Sequence, residues 1–324
     1  MDLTMLLGGG VLLYFGAEWL VGGASGLARA LGVPQLLIGL TVVAYGTSAP
    51  EVVVGVKASL AGAGGIALGN VVGSNIANLG LILGVTTLLK PAKVDGALTR
   101  REVPVLLLAT LAVPVVLLDG VVTRLEGAGL LAAALGYSVW MVTSTRRSMA
   151  AEAAQSAHDA RQMERAADIA GAPSAHGKGR LSVTAIAGLA FLVLGGSLFV
   201  DGASGLARGW GLSERIIGLT IVAVGTSLPE LATSLIAAWR GHSDLAVGNV
   251  IGSNIFNALL CLGAAAVLSP IEAPLSSVRL DLTVLVGLTA FGAVAMRRQR
   301  TIGRVEGGLF VGAYVAFLMA LGLS

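Results

Sequence analysis

Charged side chains are scarce in this chain. Asp, Glu, Lys and Arg make up 12% of its 324 residues, whereas soluble domains carry about 25%. Apolar residues make up 55%, and the mean hydropathy is +0.87. This shortage of charge excludes a soluble globular protein and predicts a multi-pass protein of the lipid bilayer. The basic residues lie in the connections between apolar segments, so the pI of about 9.3 does not indicate a nucleic-acid partner.

Cysteine and histidine are nearly absent as well. The single cysteine, Cys261, excludes an internal disulfide, and its apolar neighbours in the sequence predict a structural role. The three histidines lie outside the polar motifs described below, which disfavours a zinc, copper or nickel centre there. The N-terminal MDLTMLL has no basic region and no small-residue cleavage site, so we expect a retained span rather than a signal peptide.

Ten apolar segments are long enough to cross a bilayer, which takes about 20 residues. They cover residues 4–28, 34–60, 64–89, 103–119, 125–145, 181–206, 213–240, 244–268, 279–296 and 303–323. The polar stretch 146–180 follows the fifth segment, and its composition predicts a surface helix followed by a flexible linker. We expect an all-α integral membrane protein with ten transmembrane helices, whose first half covers residues 1–145 and whose second half covers 181–324.

Basic residues are distributed unequally between the two sides of these ten spans. With the N-terminus outside, 16 of the 21 Lys and Arg residues fall in inward connections, six of them in residues 146–180. Positive charge accumulates on the cytoplasmic side. We therefore expect both termini outside and a cytoplasmic linker, in the inner (plasma) membrane of the cell. Each half has an odd number of spans, so the two halves enter the membrane in opposite orientations.

The two halves repeat one another in sequence. A shift of 179 positions lays Val21–Gly84 over Val200–Gly263 without a gap, and about half of the positions are identical. The cores of the repeat cover residues 34–89 and 213–268. Two similar sequences in opposite orientations form an inverted repeat, which is the plan of many secondary transporters.

The motif GTSAPE, which ends at Glu51, returns in the second half as GTSLPE, which ends at Glu230. A carboxylate inside a membrane span costs roughly 2.5 kcal/mol or more, so it indicates a functional site. The proline of the motif removes a backbone donor and breaks the helix, and we expect this to free carbonyls near Ala44 for a cation. On a helix, the spacing places Thr47, Ser48 and Glu51 on one face.

A second motif, GNVVGSNIAN, follows in the next span and returns as GNVIGSNIFN. Its polar residues are spaced by four and form one stripe on each helix. The stripes consist of Asn70, Ser74 and Asn78 in the first half and of Asn249, Ser253 and Asn257 in the second. Together the motifs supply carboxylate, hydroxyl, amide and carbonyl oxygens, a set of hard ligands that suits Ca²⁺ and Na⁺. A structural role, hydrogen bonding to the carbonyls of the broken helix, is favoured for Asn70, Asn75, Asn249 and Asn254.

The paired motifs resemble the two α-repeats of the calcium/cation antiporter superfamily, and most closely those of its prokaryotic sodium/calcium exchanger-type branch. The resemblance covers both repeat cores, and the ten predicted spans agree with it. It implies a secondary antiporter that binds Na⁺ and Ca²⁺ alternately near the membrane midplane, without a cofactor. The ligands implied are Thr47, Ser48, Glu51, Ser74 and Asn78, with Thr226, Ser227, Glu230, Ser253 and Asn257 in the second half, and the backbone carbonyls of Ala44 and Ala223.

The motifs identify the coupling ion less directly than they identify Ca²⁺ as a substrate. Some relatives, including potassium-dependent exchangers, carry Asp at the position of Asn257, so its amide argues against potassium co-transport. Two carboxylates balance the charge of one Ca²⁺ or two Na⁺. The GTSxPE motif favours Na⁺ as the coupling ion, and H⁺-coupled antiport of Ca²⁺ or another divalent cation is the alternative. Mn²⁺ and Mg²⁺ are open as substrates.

We expect exchange of Ca²⁺ for Na⁺ by alternating access, in the direction of Ca²⁺ extrusion, with spans one and six as the moving elements. A cation channel is disfavoured, because two isolated carboxylates make a poor selectivity filter. An enzyme is disfavoured too, because no Ser–Lys, His or Asp-dyad motif is present for an intramembrane hydrolase. A non-transporting cation sensor is a further alternative. No protein partner is implied.

Glu18 lies in the middle of the first span, and the repeat places Ser197 at the equivalent position of the second half. We expect Glu18 to pair with a basic or hydroxyl neighbour rather than to line a vestibule.

Overall fold

The computed structural model describes residues 1–94, 96–163, 177–211, 223–299 and 301–323. These residues are helical almost throughout. The helices of the first half are α1 (Asp2–Leu31), α2 (Gln35–Thr47), α3 (Ala49–Leu60), α4 (Gly64–Leu89), α5 (Gly96–Val116) and α6 (Arg124–Met163). Those of the second half are α7 (Lys178–Gly209), α8 (Ala223–Gly225), α9 (Leu228–Trp239), α10 (Ser243–Leu268), α11 (Leu275–Gln299) and α12 (Arg304–Leu323). Four short strands are β1 (Ala92–Lys93), β2 (Val121–Val122), β3 (Ile271–Glu272) and β4 (Thr301–Ile302).

Most of these helices have the length and composition of membrane spans. Within the described residues, seven qualify, namely α1, α4, α6, α7, α10, α11 and α12, and the bent pair of α2 and α3 makes an eighth. Helix α5 is 21 residues long but carries Arg100, Arg101 and Glu102 near its start. The predicted span 213–240 lies partly outside the described residues and ends in α8 and α9.

The connection between the halves begins as a continuation of helix α6. This helix runs without interruption to Met163. Its part that is apolar enough to span a membrane, Arg124–Ser144, agrees with the predicted span 125–145, and the predicted surface helix follows it directly. Residues 146–163 contain neither glycine nor proline and include six alanines and three arginines, so nothing in this stretch terminates a helix. The remainder of the predicted flexible linker, residues 164–176, lies outside the described residues.

Helices α1 and α7 pack in direct backbone contact. Glycines spaced by seven residues line the facing sides, at Gly9, Gly16 and Gly23 of α1 and at Gly188, Gly195 and Gly202 of α7. A Cβ added at Gly16 would lie 2.8 Å from the backbone nitrogen of Leu192, and one at Gly195 would lie 2.8 Å from that of Leu13. Small residues allow membrane helices to approach this closely, so the glycine spacing explains the tight packing of these two helices.

Two small antiparallel pairings show how the halves are related. Strand β1 pairs with β4, with Ala92 opposite Ile302, and β2 pairs with β3, with Val122 opposite Ile271. The repeat shift of 179 takes β1 onto β3. Each pairing therefore joins the connection after the third span of one half to that before the fifth span of the other, at opposite ends of the bundle. This is the relation that an inverted repeat requires.

Equivalent residues of the two halves meet at the centre of the bundle. Asn75 donates a hydrogen bond to the carbonyl of Asn254 at 3.1 Å, and Thr110 and Thr289 are joined by a hydroxyl hydrogen bond of 3.4 Å. Each pair is separated by 179 positions, so these contacts mark the pseudo-two-fold axis. The most apolar windows of α4 and α10 are 72% and 83% buried, which places these two helices, and the polar motif that each carries, in the core.

Candidate ion-binding site

The GTSxPE motifs lie at helix breaks in both halves. Helices α2 and α3 meet at an angle of 42° at Ser48, and Pro50 stands in the first turn of α3. Pro229 stands likewise in the first turn of α9, after Ser227. A proline is tolerated there because its missing N–H has no helical partner to lose. Thr47 therefore ends one helix and Glu51 lies in the first turn of the next, so the residues of the motif do not lie on one continuous helix.

Both motif glutamates are completely buried. Glu51 and Glu230 have no exposed surface, and each lies in the first turn of its half-helix, α3 or α9. The positive end of the helix dipole stabilises a carboxylate at this position. In the part of the chain that the structure describes, neither glutamate forms an ion pair. Two negative charges without a basic partner in an apolar interior require a bound cation or a proton.

The two carboxylates are linked across the halves. The hydroxyl of Ser48 donates to Oε1 of Glu230 at 3.1 Å, and the hydroxyl of Ser227 donates to Oε1 of Glu51 at 3.4 Å. Each serine thus comes from the motif of the opposite half. This reciprocal arrangement brings the two helix breaks together into one site.

Asparagines of the second motif hold the breaks in place. Asn70 donates to the backbone carbonyl of Glu51 at 3.0 Å, and Asn249 donates to that of Glu230 at 3.4 Å. Asn249 also donates to Ser234 at 3.1 Å, and its carbonyl oxygen accepts a hydrogen bond from Thr47 at 3.2 Å. These contacts are the structural role that the sequence favours for Asn70 and Asn249.

The remaining motif residues of α4 and α10 are buried beside the breaks. Ser74, Asn78, Ser253 and Asn257 are each at most 2% exposed. A π-helical turn begins at Asn78 and another at Asn257, a distortion that is frequent at functional sites. The sequence pattern, which places the stripe on a regular helix, does not anticipate these turns.

Many polar atoms in this region are buried without a hydrogen-bond partner in the described structure. They are Oε2 of Glu51 and of Glu230, both amide atoms of Asn78, the hydroxyl of Ser253, Nδ2 of Asn257, Oδ1 of Asn75 and Oδ1 of Asn254. Unsatisfied buried polar atoms are rare in folded proteins, where they mark ligand sites or strain. Most of these atoms are oxygens, so the site is suited to a hard cation.

For three predicted ligands, the structure differs from the prediction or describes the residue only in part. The carbonyl of Ala44 was expected to lose its helical partner, but it accepts a hydrogen bond from the backbone N–H of Ser48 at 3.1 Å, since the helix breaks only after this bond. Ala223 begins α8, and its side chain lies outside what the structure describes. Thr226 lies between α8 and α9 and is half-buried.

Sequence reasoning missed three neighbours of the site. Ser234 accepts the hydrogen bond from Asn249, and Thr233 is buried with an unpartnered hydroxyl one turn after Glu230. Cys261, expected to be structural only, donates to Oδ1 of Asn257 at 3.3 Å. The spacing of three or four residues from Glu230 and Asn257 is the signal that could have identified them.

Comparisons with known proteins identify the family of the chain. A family described as sodium/calcium exchanger protein matches residues 1–143 and 181–323 of the chain. The chain belongs to this family. The inner membrane protein YrbG of Escherichia coli is 37% identical over 322 residues, which are 98% of this chain and 96% of that one. The sodium/calcium exchanger MaX1 of Methanosarcina acetivorans is 32% identical over 343 residues, 99% and 98% of the two chains.

A solved structure of the sodium-calcium exchanger NCX_Mj, soaked with 10 mM Na⁺ and zero Ca²⁺, matches with a TM-score of 0.84 at 33% identity. The match covers 99% of this chain and 98% of that one. The predicted fold, an all-α integral membrane protein of ten helices in two inverted repeats, is thereby confirmed. So is the prediction of a transporter rather than an enzyme, because the relatives are exchangers.

Proposed function

We propose that this exchanger-family member transports Ca²⁺ against Na⁺, and that both ions bind at the junction of the two helix breaks. One observation carries the proposal. Glu51 and Glu230, from oppositely oriented halves, are fully buried, are linked by the serines of the opposite motif, and each keep one oxygen without a partner. MaX1 and NCX_Mj are named sodium/calcium exchangers, which supports Na⁺ and Ca²⁺ as the two ions exchanged by this chain.

The proposed ligands are those of the two motifs. They are Thr47, Ser48, Glu51, Ser74 and Asn78, with Thr226, Ser227, Glu230, Ser253 and Asn257, and the carbonyls of Ala44 and Ala223. The carbonyl of Ala44 keeps a second lone pair beside its hydrogen bond to Ser48. Each GTSxPE motif supplies hydroxyl oxygens within a few residues of its carboxylate, and each GNxxGSNIxN motif adds hydroxyl and amide oxygens from the next helix. Together they give the dense oxygen shell that Ca²⁺ requires.

Charge balance makes the two ions compete. One Ca²⁺ or two Na⁺ would neutralise Glu51 and Glu230, and either occupant uses the same carboxylate oxygens. An empty site would leave two unpaired carboxylates in an apolar interior, which is costly. The protein therefore switches the site from one side of the membrane to the other only when an ion is bound, and transport is obligatory exchange.

We propose α1 and α7 as the elements that move. They pack through glycines into one unit, while the site lies on α2, α3, α9 and the core helices α4 and α10. We also propose that both termini lie outside and the connection between α6 and α7 lies in the cytoplasm, from the excess of basic residues on that side. With low cytosolic Ca²⁺, this orientation serves Ca²⁺ extrusion.

The first experiment tests whether the two carboxylates bind the transported ion. We expect Glu51→Gln and Glu230→Gln each to abolish Ca²⁺ uptake into Na⁺-loaded proteoliposomes, because each change removes one of two charges that bind the ion. Glu272→Gln is the matched control, because Glu272 is an exposed glutamate of β3. Size-exclusion profiles check that the variants are folded. Wild-type uptake in both site variants would reject the site.

A second experiment separates Na⁺ coupling from H⁺ coupling. Purified wild-type protein is placed in liposomes, and ⁴⁵Ca²⁺ uptake is measured with outward Na⁺, K⁺ or H⁺ gradients imposed one at a time. We expect uptake with the Na⁺ gradient alone. Equal uptake driven by a pH gradient in Na⁺-free buffer would identify the proton-coupled antiporter, and uptake without any exchange ion would identify a channel.

A further inference from the structure

A crevice opens at one end of the bundle, between α1, α4 and α9. Its volume is about 1020 Å³, and its lining includes Glu18 of α1, Thr86 and Leu89 of α4, and Ala232 and Ile236 of α9. The chain order places it at the end that carries β1, β4 and the connection between α6 and α7, which we term the linker face. The opposite face carries β2 and β3.

The polar residues of this crevice are replaced by different residues at the equivalent positions of the other half. The repeat shift places Ser197 at the position of Glu18, Ala265 at that of Thr86 and Ala61 at that of Arg240. Likewise Val54 stands at the position of Thr233 and Ser269 at that of Lys90. An inverted repeat gives the two faces equivalent frameworks. Residues that break the repeat therefore act on one face only.

An ion pair joins two walls of the crevice. The guanidinium of Arg240, at the end of α9, donates two hydrogen bonds to the carboxylate of Glu18 on α1. Lys90 donates to the carbonyl of Trp239 at 3.4 Å. Burial, together with nearby Arg29, Arg240 and Lys90, lowers the pKa of His242 in the adjoining connection. Among the lining residues Glu18 is the one acidic group, and it is neutralised by Arg240, while most of the other lining side chains are apolar.

Two buried threonine hydroxyls without partners lie on the helices that line the crevice. Thr86 lines the crevice, is 2% exposed, and has no hydrogen-bond partner for its hydroxyl in the described structure. Thr233 is fully buried, lies one turn from Glu230 towards Arg240, and is unpartnered as well. Thr86 lies eight residues beyond Asn78 along α4, towards the same face. Buried oxygens without hydrogen-bond partners suit a hard cation.

We propose that this crevice is the ion route between the binding site and the linker face, and that Glu18 is a cation-binding residue in it. Glu18 exchanges its partner Arg240 for the passing cation, and the hydroxyls of Thr86 and Thr233 bridge the distance to Glu230. The transported cation is taken from the proposed function, but the position of the route is independent of which ions are exchanged.

Thiol labelling tests the route without any transport assay. The single native cysteine, Cys261, is buried, so the wild-type protein is the unlabelled control. We expect Thr86→Cys to react with a small cationic methanethiosulfonate applied from the linker face of membrane vesicles, and not from the other face. Ala265→Cys, its counterpart in the repeat, should not react from the linker face. A Thr86→Cys protein that is unreactive from the linker face would overturn the route.

The role of Glu18 is tested by one-sided kinetics. In vesicles of defined orientation, we expect Glu18→Gln to raise the apparent KM for ⁴⁵Ca²⁺ at the linker face several-fold and to leave the KM at the opposite face unchanged. Arg240→Gln should lower the linker-face KM, because it releases the carboxylate. Ser197→Ala, at the equivalent position of α7, should change neither KM. Equal changes at both faces, or no change, would show that the Glu18–Arg240 pair is structural only.

The two proposals fail in different ways. If H⁺ rather than Na⁺ drives Ca²⁺ transport, the Na⁺ coupling is wrong, but the labelling pattern and the one-sided KM for Ca²⁺ still test the route. If Thr86→Cys is unreactive while Glu51→Gln and Glu230→Gln abolish exchange, the route is wrong and the binding site stands.

Discussion

At the level of single residues, Asn257 would limit the negative charge of the proposed site. Its side chain is buried, accepts a hydrogen bond from Cys261 and keeps an unpartnered Nδ2. An amide at this position contributes an oxygen without a charge. The proposed site therefore holds two carboxylates, and that count would set the number of positive charges that it takes up.

Replacing this amide by a carboxylate should change the coupling. We expect Asn257→Asp to require one further monovalent cation for neutrality, which would steepen the Na⁺ dependence of Ca²⁺ release and allow K⁺ to stimulate it. The measurement is the Hill coefficient for Na⁺ in Ca²⁺-loaded proteoliposomes, with and without K⁺. Asn78→Asp, at the equivalent position of the first half, is the comparison. An unchanged Hill coefficient and no effect of K⁺ in Asn257→Asp would contradict the charge argument.

The asparagines that brace the breaks are a second case at this level. Asn249→Ala removes hydrogen bonds to the carbonyl of Glu230, to Ser234 and from Thr47. Leaving buried polar groups unpaired costs about 1–3 kcal/mol, so we expect a lower melting temperature and a higher KM for Ca²⁺. Ser234→Ala removes only one of these bonds and should have a smaller effect on both quantities. Equal effects of the two variants would argue against a bracing role for Asn249.

At the level of helices, the glycines between α1 and α7 set the distance between these helices. Gly16 and Gly195 face the partner backbone, whereas Gly10 on the same helix as Gly16 has no atom within 4 Å of an added Cβ. The same substitution can therefore be compared on two faces of one helix.

We expect Gly16→Ala and Gly195→Ala to push α1 and α7 apart, at a cost of about 1–3 kcal/mol for an overpacked contact. If the pair moves as one unit, the exchange rate should fall as well. Gly10→Ala should leave stability and rate close to wild type. Thermal unfolding in detergent and ⁴⁵Ca²⁺ flux measure the two effects. If Gly16→Ala and Gly10→Ala give the same stability and the same exchange rate, the tight packing of α1 against α7 has no role in transport.

At the level of the whole molecule, the orientation in the membrane can be tested directly. Lys93 in β1 and Asp119 before β2 are both exposed and lie at opposite ends of the bundle. In intact cells, we expect Asp119→Cys to react with a membrane-impermeant maleimide and Lys93→Cys to react only after permeabilisation. The reverse pattern would show that the positive-inside count gives the wrong orientation for this chain.

Much of the architecture could be predicted from sequence because it depends on composition and repetition. A bilayer requires long apolar helices, so the boundaries of α4 and α10 follow closely from hydropathy. The break at Pro50 and the inverted relation of the halves follow from a proline rule and from an odd number of spans. The sequence does not predict that the helix starting at Arg124 runs on to Met163 without a break. Helix propensity in residues 146–163 is equally compatible with a continuation of the span and with a second helix.

The sequence by itself determined which residues could bind a hard cation, since a carboxylate repeated in two apolar segments is too costly to keep without a function. Only the tertiary structure decided how they meet: Ser48 reaches Glu230 and Ser227 reaches Glu51 across the halves. It also decided that Glu18 and Arg240, which are 222 positions apart, form a pair at one face. Contacts between distant segments depend on how the helices pack, and a local pattern of residues contains no information about that packing.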